Sequence, residues 1–227
     1  MSSEEYVPQS MVINDLLYRG CGLEPTLLAH AVRHLYPITR QRFIWTRYEF
    51  PFILNAMGLV GEGAEIGIFR GSYSTYCLTH WKGRLLHSID PWRYFPGGEY
   101  TDITNSEDEA QQQLYEGVRR RLARFGGRSR IIREASPQAA ANFQDGQLDY
   151  VFIDAQHHYE AVREDLRGWF GKVRRGGILA GHDYLDGVLP EGVFGVKRAV
   201  DEFAAETGLE VHVSREKQWK SYFILKD

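Results

Sequence analysis

A glutamate sits inside an otherwise apolar run in 64-AEIGIF-69, and Gly67, Gly71 and Ser72 follow it closely. A carboxylate sunk in a strand needs a partner, and the ammonium group of a ligand is one chemistry that supplies it. Gly67 lets the backbone turn tightly, while Gly71 and Ser72 would bring main-chain N–H groups to a ligand at the start of a helix. Asp90 closes the next apolar run, RLLHSID, roughly twenty residues on, where an acid can accept both hydroxyl protons of a ribose. The spacing is E-x-G-x-x-x-G, not the dinucleotide pattern GxGxxG, because Ile68, Phe69 and Arg70 separate the glycines. Helix-packing glycines and a glutamate at a helix start would explain the same residues without a ligand; Asp90 at that distance favours binding.

A second group lies further along. FIDAQHHYEAVREDL puts Asp154 at the end of an apolar run, with His157 and His158 just after it, and GILAGHDY ends the next run at His182 and Asp183. If the two runs are neighbouring strands, their ends share the crevice of the glycine turn. His157 or His182 would then serve as a general base, an imidazole titrating near working pH. His158 reads as a solvated loop residue.

These residues require a sheet to hold them. From residue 64 onward short apolar runs alternate with helical patterns: strands at AEIGIF, RLLHSID, RIIREA, LDYVFID and GGILAGHDY, and helices at SYSTYCLTHW, SEDEAQQQLYEGVRRRLARF, SPQAAANF, YEAVREDLRGWFGKV and VKRAVDEFAAET. Such alternation predicts a doubly wound α/β fold with a parallel sheet covered on both faces. Ser106 and Ser136 are expected as N-caps of two of the helices. LEVHVS and KSYFILKD are joined by too short a turn for a parallel crossover, so the last strand should run antiparallel, giving seven strands. Residues 10–60 carry helical periodicity punctuated by Gly22, Pro37 and Gly58, a helical layer before the first strand.

The chain has 227 residues, 43% hydrophobic and 25% charged, which suits a globular domain with a full core plus a small cap. A net charge of −3 disfavours a general nucleic-acid binder. The basic run VRRRLARF reads as the solvated face of a helix whose other face is Val118, Leu122 and Phe125. Cys21 and Cys77 make no CxxC pair, which fits a reducing compartment without structural zinc, and no membrane-spanning run or signal peptide is apparent. A cytoplasmic location is therefore expected, with homo-oligomerisation left open. Neither a P-loop nor a GxSxG elbow is present. Trp92, Tyr94, Phe95 and Tyr100, in DPWRYFPGGEYTDITN after Asp90, form a candidate lid.

On these residues the chain resembles the class I S-adenosylmethionine-dependent methyltransferases. Glu65-Ile-Gly67-Ile-Phe-Arg-Gly71 is similar to their motif I, and His87-Ser-Ile-Asp90 to their ribose-binding acidic motif. Leu148–Asp154, Arg175–Asp183 and the C-terminal hairpin continue the likeness, which is nearest to a small bacterial subgroup with IDxxHxYE and GGxxxGHDY segments. The resemblance implies a Rossmann-like, mostly parallel seven-stranded sheet over residues 61–227 with an N-terminal helical cap over 1–60. It implies S-adenosylmethionine held by Glu65, Gly67, Gly71, Ser72, Asp90, Ser136 (near the adenine) and Asp154. It implies methyl transfer to a small-molecule acceptor, most naturally on oxygen, with Asp154, His157 and His182 at the reaction. By likeness to the metal-dependent catechol-type enzymes, Asp154, His182 and Asp183 would hold a divalent cation. The nitrogen ligand would suit manganese, iron, nickel or zinc better than magnesium. A metal-free centre with a histidine base is the equal alternative. A nicotinamide-dependent oxidoreductase and a non-catalytic nucleoside-binding module are the competing readings.

Overall fold

Apolar runs and amphipathic stretches alternate in the chain, and strands and helices alternate with them in the computed structural model, which describes residues 44–95 and 104–227. The strands are β1 (Glu62–Ile66), β2 (Leu85–Ile89), β3 (Ser129–Ile132), β4 (Leu148–Ile153), β5 (Val173–Gly181), β6 (Asp186–Leu189), β7 (Gly192–Gly195), β8 (His212–Val213) and β9 (Tyr222–Leu225). The α-helices are α1 (Phe50–Met57), α2 (Ser72–His80), α3 (Asp108–Leu122), α4 (Ser136–Ala141), α5 (Tyr159–Phe170) and α6 (Val196–Thr207). The main sheet has the order β3-β2-β1-β4-β5-β9-β8. Its first five members run parallel, and β9 pairs antiparallel with both β5 and β8. The order reverses between β1 and β4, so the crevice beyond their carboxyl ends is where a ligand belongs in such a sheet.

β4 shows how the sequence builds both layers. Successive side chains point to opposite faces of a strand. Tyr150 and Phe152 therefore join one core with Phe50, Leu54, Tyr73 and Trp81, while Val151 and Ile153 join the other with Val162, Leu166, Trp169 and Val200. All six residues of β4 are buried. Each fully buried large side chain contributes about 1.5–3 kcal/mol. The two cores thus fix the strand ends from which the loops depart.

α1 belongs to the first of these cores. Pro51 in its first turn suits the missing N–H there, and Gly58, at φ 72°, closes it by donating to Asn55 and Leu54 carbonyls. Phe50, Ile53 and Leu54 form its buried face. Of the cap expected over residues 1–60, residues 1–43 lie outside the described residues.

Local expectations fail where a longer-range partner competes. Ser106 does not cap α3: Glu107 takes that position, and the Ser106 hydroxyl accepts from Gln111. Ser136 does not cap α4 either. Ala135 stands at the cap, and the Ser136 hydroxyl turns to the Asp165 carboxylate and accepts from the Trp169 indole at 2.8 Å. Trp92 is core rather than lid: it is buried, packs on Tyr115 and donates its indole N–H to the Phe69 carbonyl. Tyr94 is exposed, and Tyr100 lies outside the described residues. The hairpin β6–β7, turning at Pro190-Glu191, is an element that strand–helix alternation did not foreshadow. No helix among the described residues is long and apolar enough to cross a membrane.

Candidate active site

Two loops meet at the reversal point, and Gly67 is what lets them meet. Its φ is 79°, and a Cβ there would overlap the Asp154 carbonyl and come within 2.5 Å of Ala155 Cα. The Gly67 N–H donates to the Ile89 carbonyl and the Asp154 N–H to the Ile66 carbonyl, so the ends of β1, β2 and β4 are tied together. The cleft beyond them has a volume of about 940 Å³. Glu65, Gly67, Ser72, Asp90 and Ser136 line it on one side, and Asp154, His157, His182 and Asp183 on the other. Gly71 does not line the cleft. Its N–H bonds to the Ile68 carbonyl, its φ is 69°, and a Cβ would press on Val118 of α3. Ser72 also accepts from Arg121, so one arginine of the basic run turns into the cleft wall.

On the first side every carboxylate contact is a neutral donor. Glu65 is 2% exposed, and its Oε2 accepts from Ser74 at 2.6 Å; Ser74 in turn accepts from Ser88. Burial pushes the Glu65 carboxyl up to about 8, against the Ser74 hydrogen bond and the more distant Arg47 charge. Asp90 accepts from Phe69 N–H at 3.0 Å through one oxygen and from Trp92 N–H at 2.8 Å through the other. Burial raises its pKa against those backbone bonds. Phe69 and Trp92 themselves have positive φ, 47° and 39°, an unfavourable conformation that brings both N–H groups onto Asp90. Asp165, which sequence reasoning passed over, also lines the cleft, and burial raises its carboxyl to about 7.

On the second side the contacts are with cations and imidazoles. Arg47 Nη1 donates to Asp154 Oδ2 at 2.8 Å, across 107 positions of sequence. Its guanidinium carbon stands 5.6 Å from the Tyr48 ring and 5.5 Å from the Tyr73 ring. Burial alone would lower the Arg47 pKa, but Asp154, with Tyr48 and Asp183 behind it, outweighs that and raises it. Asp183, at φ 53°, holds His182 Nδ1 at 2.8 Å through one oxygen and His157 Nε2 at 3.1 Å through the other. Burial works to raise the Asp183 carboxyl, yet the two imidazoles hold it well below the usual carboxylate range. His157 stacks on Phe194 of β7, ring centroids 4.8 Å apart. His158 does not line the cleft.

Ligand atoms of Asp154, His182 and Asp183 lie within 4.8 Å of one another, a spacing open to a metal ion. The bonding within the cluster does not suit one. At 2.8 Å from a carboxylate, His182 Nδ1 presents a proton, not a lone pair, and Asp154 already carries a guanidinium. A divalent cation would have to share Asp154 with the Arg47 guanidinium and displace the proton that His182 holds at Nδ1. In IWTRYEF the available signal for Arg47 was an arginine set among aromatic residues.

A family model described as a methyltransferase domain matches residues 64–184, more than half of the chain. An uncharacterized protein of Sinorhizobium fredii is 26% identical over 123 residues, 52% of this chain and 12% of that protein's length, so the chain spans only a small part of this relative. Among solved structures, a cofactor-bound protein from MTB is similar with a TM-score of 0.57 and 19% identity, over 96% of this chain and 97% of that one. An O-methyltransferase from Bacillus cereus in complex with SAH gives a TM-score of 0.55 and 15% identity, over 87% and 89%. At such identities these two structures speak to the fold.

Proposed function

The chain belongs to the methyltransferase domain family, in the class I S-adenosylmethionine-dependent fold, and from that premise we propose that it moves a methyl group from S-adenosylmethionine onto an oxygen of a small-molecule acceptor. One observation carries the proposal: the glycine turn with Glu65 and Asp90 opens into the same cleft as Asp154, His157, His182 and Asp183. In this reading residues 61–227 form the cofactor domain and residues 1–60 the cap.

Bound S-adenosylmethionine supplies an electrophilic methyl group on a sulfonium. Glu65 takes the ammonium of its amino-acid arm, since a buried carboxylate with only neutral donors is stabilised by an incoming cation. Gly67 and Ser72 leave the backbone bare beside that arm, Asp90 faces the ribose, and Ser136 with Asp165 faces the base. Asp154 closes the seam between the cofactor and the acceptor. His182 takes the acceptor's hydroxyl proton at Nε2, which has no partner among the described residues. Asp183 fixes the ring orientation and stabilises the imidazolium that results, as a buried aspartate does behind a catalytic histidine. His157, bonded to the other Asp183 oxygen and stacked on Phe194, steadies that aspartate. Tyr48, Phe95, Phe194 and Trp219 give the cleft aromatic walls, which suits a ring-bearing acceptor such as a phenol or polyketide.

Thermal shift with S-adenosylhomocysteine, NAD and NADP in parallel tests the premise of this reading. S-adenosylhomocysteine at a hundred times its Kd should stabilise the protein by about 2.7 kcal/mol. Stabilisation by NAD alone would overturn the proposal. Asp90→Ala should weaken that binding, whereas His182→Ala should spare it and lower turnover by about 10²–10⁴-fold. Wild-type affinity and rate in both variants would remove the role assignments.

A further inference from the structure

We infer that Arg47 is the resident cation of the Asp154–His182–Asp183 cluster, so that this centre takes no divalent metal. Carboxylates gathered at two strand ends need positive charge, and in this chain a guanidinium supplies it from the segment ahead of α1. The Arg47 Nη1 contact to Asp154 is 2.8 Å, a charge-assisted hydrogen bond between partly buried groups. The segment that delivers the arginine is anchored on both flanks. Ile44 and Phe50 are fully buried in the core over β4, the Ile44 carbonyl accepts from the Arg215 N–H, and the Arg47 carbonyl accepts from the Tyr73 hydroxyl. Tyr48 and Tyr73 present ring faces to the guanidinium, a further stabilisation that a hydrated metal would not receive in the same place. The remaining guanidinium nitrogens have no acceptor among the described residues, and Arg47 lines the cleft, so donors are left over for an anionic oxygen there.

The imidazoles point the same way. Both nitrogens that face Asp183 stand at hydrogen-bond distance from a carboxylate oxygen, and in that role each carries a proton. Asp154 Oδ2 is bonded to Arg47, and the imidazole nitrogens that face Asp183 carry protons, so a metal entering the cluster would meet a resident cation and two N–H donors. Removing the arginine should therefore create a metal site where none operates.

Mn²⁺ titration of the full chain, read by the loss of the free-ion paramagnetic resonance signal, tests this directly. Arg47→Ala should bind Mn²⁺ about tenfold or more tightly than wild type, and Asp154→Asn in that background should cancel the gain. Arg47→Lys, which keeps the charge, should stay as weak as wild type. Equal tight binding by wild type and Arg47→Ala would overturn the inference, as would stoichiometric Mn²⁺ uptake by wild type that Asp154→Asn abolishes. The wild-type titration decides alone if the alanine variant does not fold. S-adenosylhomocysteine binding, measured on the same samples, keeps the two ideas apart. Its absence with the expected Mn²⁺ pattern would remove the methyl-transfer reading and leave Arg47 in its role.

Discussion

The two sides of the cleft handle buried carboxylates in opposite ways. At the ends of β1 and β2, Glu65 and Asp90 are met only by hydroxyl and amide donors, and burial raises both pKa values. Beyond β4 and β5, Asp154 and Asp183 are met by a guanidinium and two imidazoles, and Asp183 is held low. Neutral donors satisfy the geometry of a carboxylate but leave its charge uncompensated; cations compensate it. The first side is therefore poised to receive a positive group from a ligand. On the second, Asp154 has its cation in Arg47 before any ligand arrives, and Asp183 orients two imidazoles for proton transfer.

The strongest way to break this contrast is to part the two sides. Gly67→Ala would strain a left-handed backbone and push a methyl into the Asp154 carbonyl, so that β1 and β4 could no longer close as they do. A stability loss of about 3 kcal/mol or more is expected, with loss of cofactor binding, by denaturant unfolding and calorimetry. A variant as stable as wild type would mean that the seam is loose.

Removing the uncompensated charge comes next. Glu65→Gln should weaken S-adenosylmethionine binding by about 30-fold near pH 8, corresponding to roughly 2 kcal/mol for a charged hydrogen bond. The sign with pH follows from the raised pKa of about 8. The ligand ammonium pairs with the ionised carboxylate, whose population rises as pH climbs toward 8. Wild-type affinity should therefore tighten from pH 6 toward 8, by up to about tenfold per unit, until the ligand's own α-ammonium begins to lose its proton. The glutamine variant should show a flat profile by isothermal titration. A wild-type profile equally flat would show that Glu65 does not meet the ammonium.

The smallest effect sharpens the contrast without destroying either side. Ser74 donates to Glu65 and thereby favours its ionised form. Ser74→Ala should raise the midpoint of that affinity profile by up to about one pH unit, roughly 1 kcal/mol. A downward shift would assign the opposite role to the hydroxyl.

The sequence alone determined the sheet and the position of most of the cleft. Period-2 and helical patterns are local, and strand ends are where those patterns stop, so Asp90, Asp154, His182 and Asp183 could be assigned to loops on one edge. Gly67 was legible because a turn after a buried strand narrows the choice of residue. Tertiary structure alone decided which groups those loops meet. Arg47 reaches Asp154 across 107 residues, Ser136 prefers Asp165 and Trp169 to its own helix end, and Trp92 folds inward onto Tyr115. In each case the side chain had several locally acceptable partners of similar energy, and burial against distant residues chose among them.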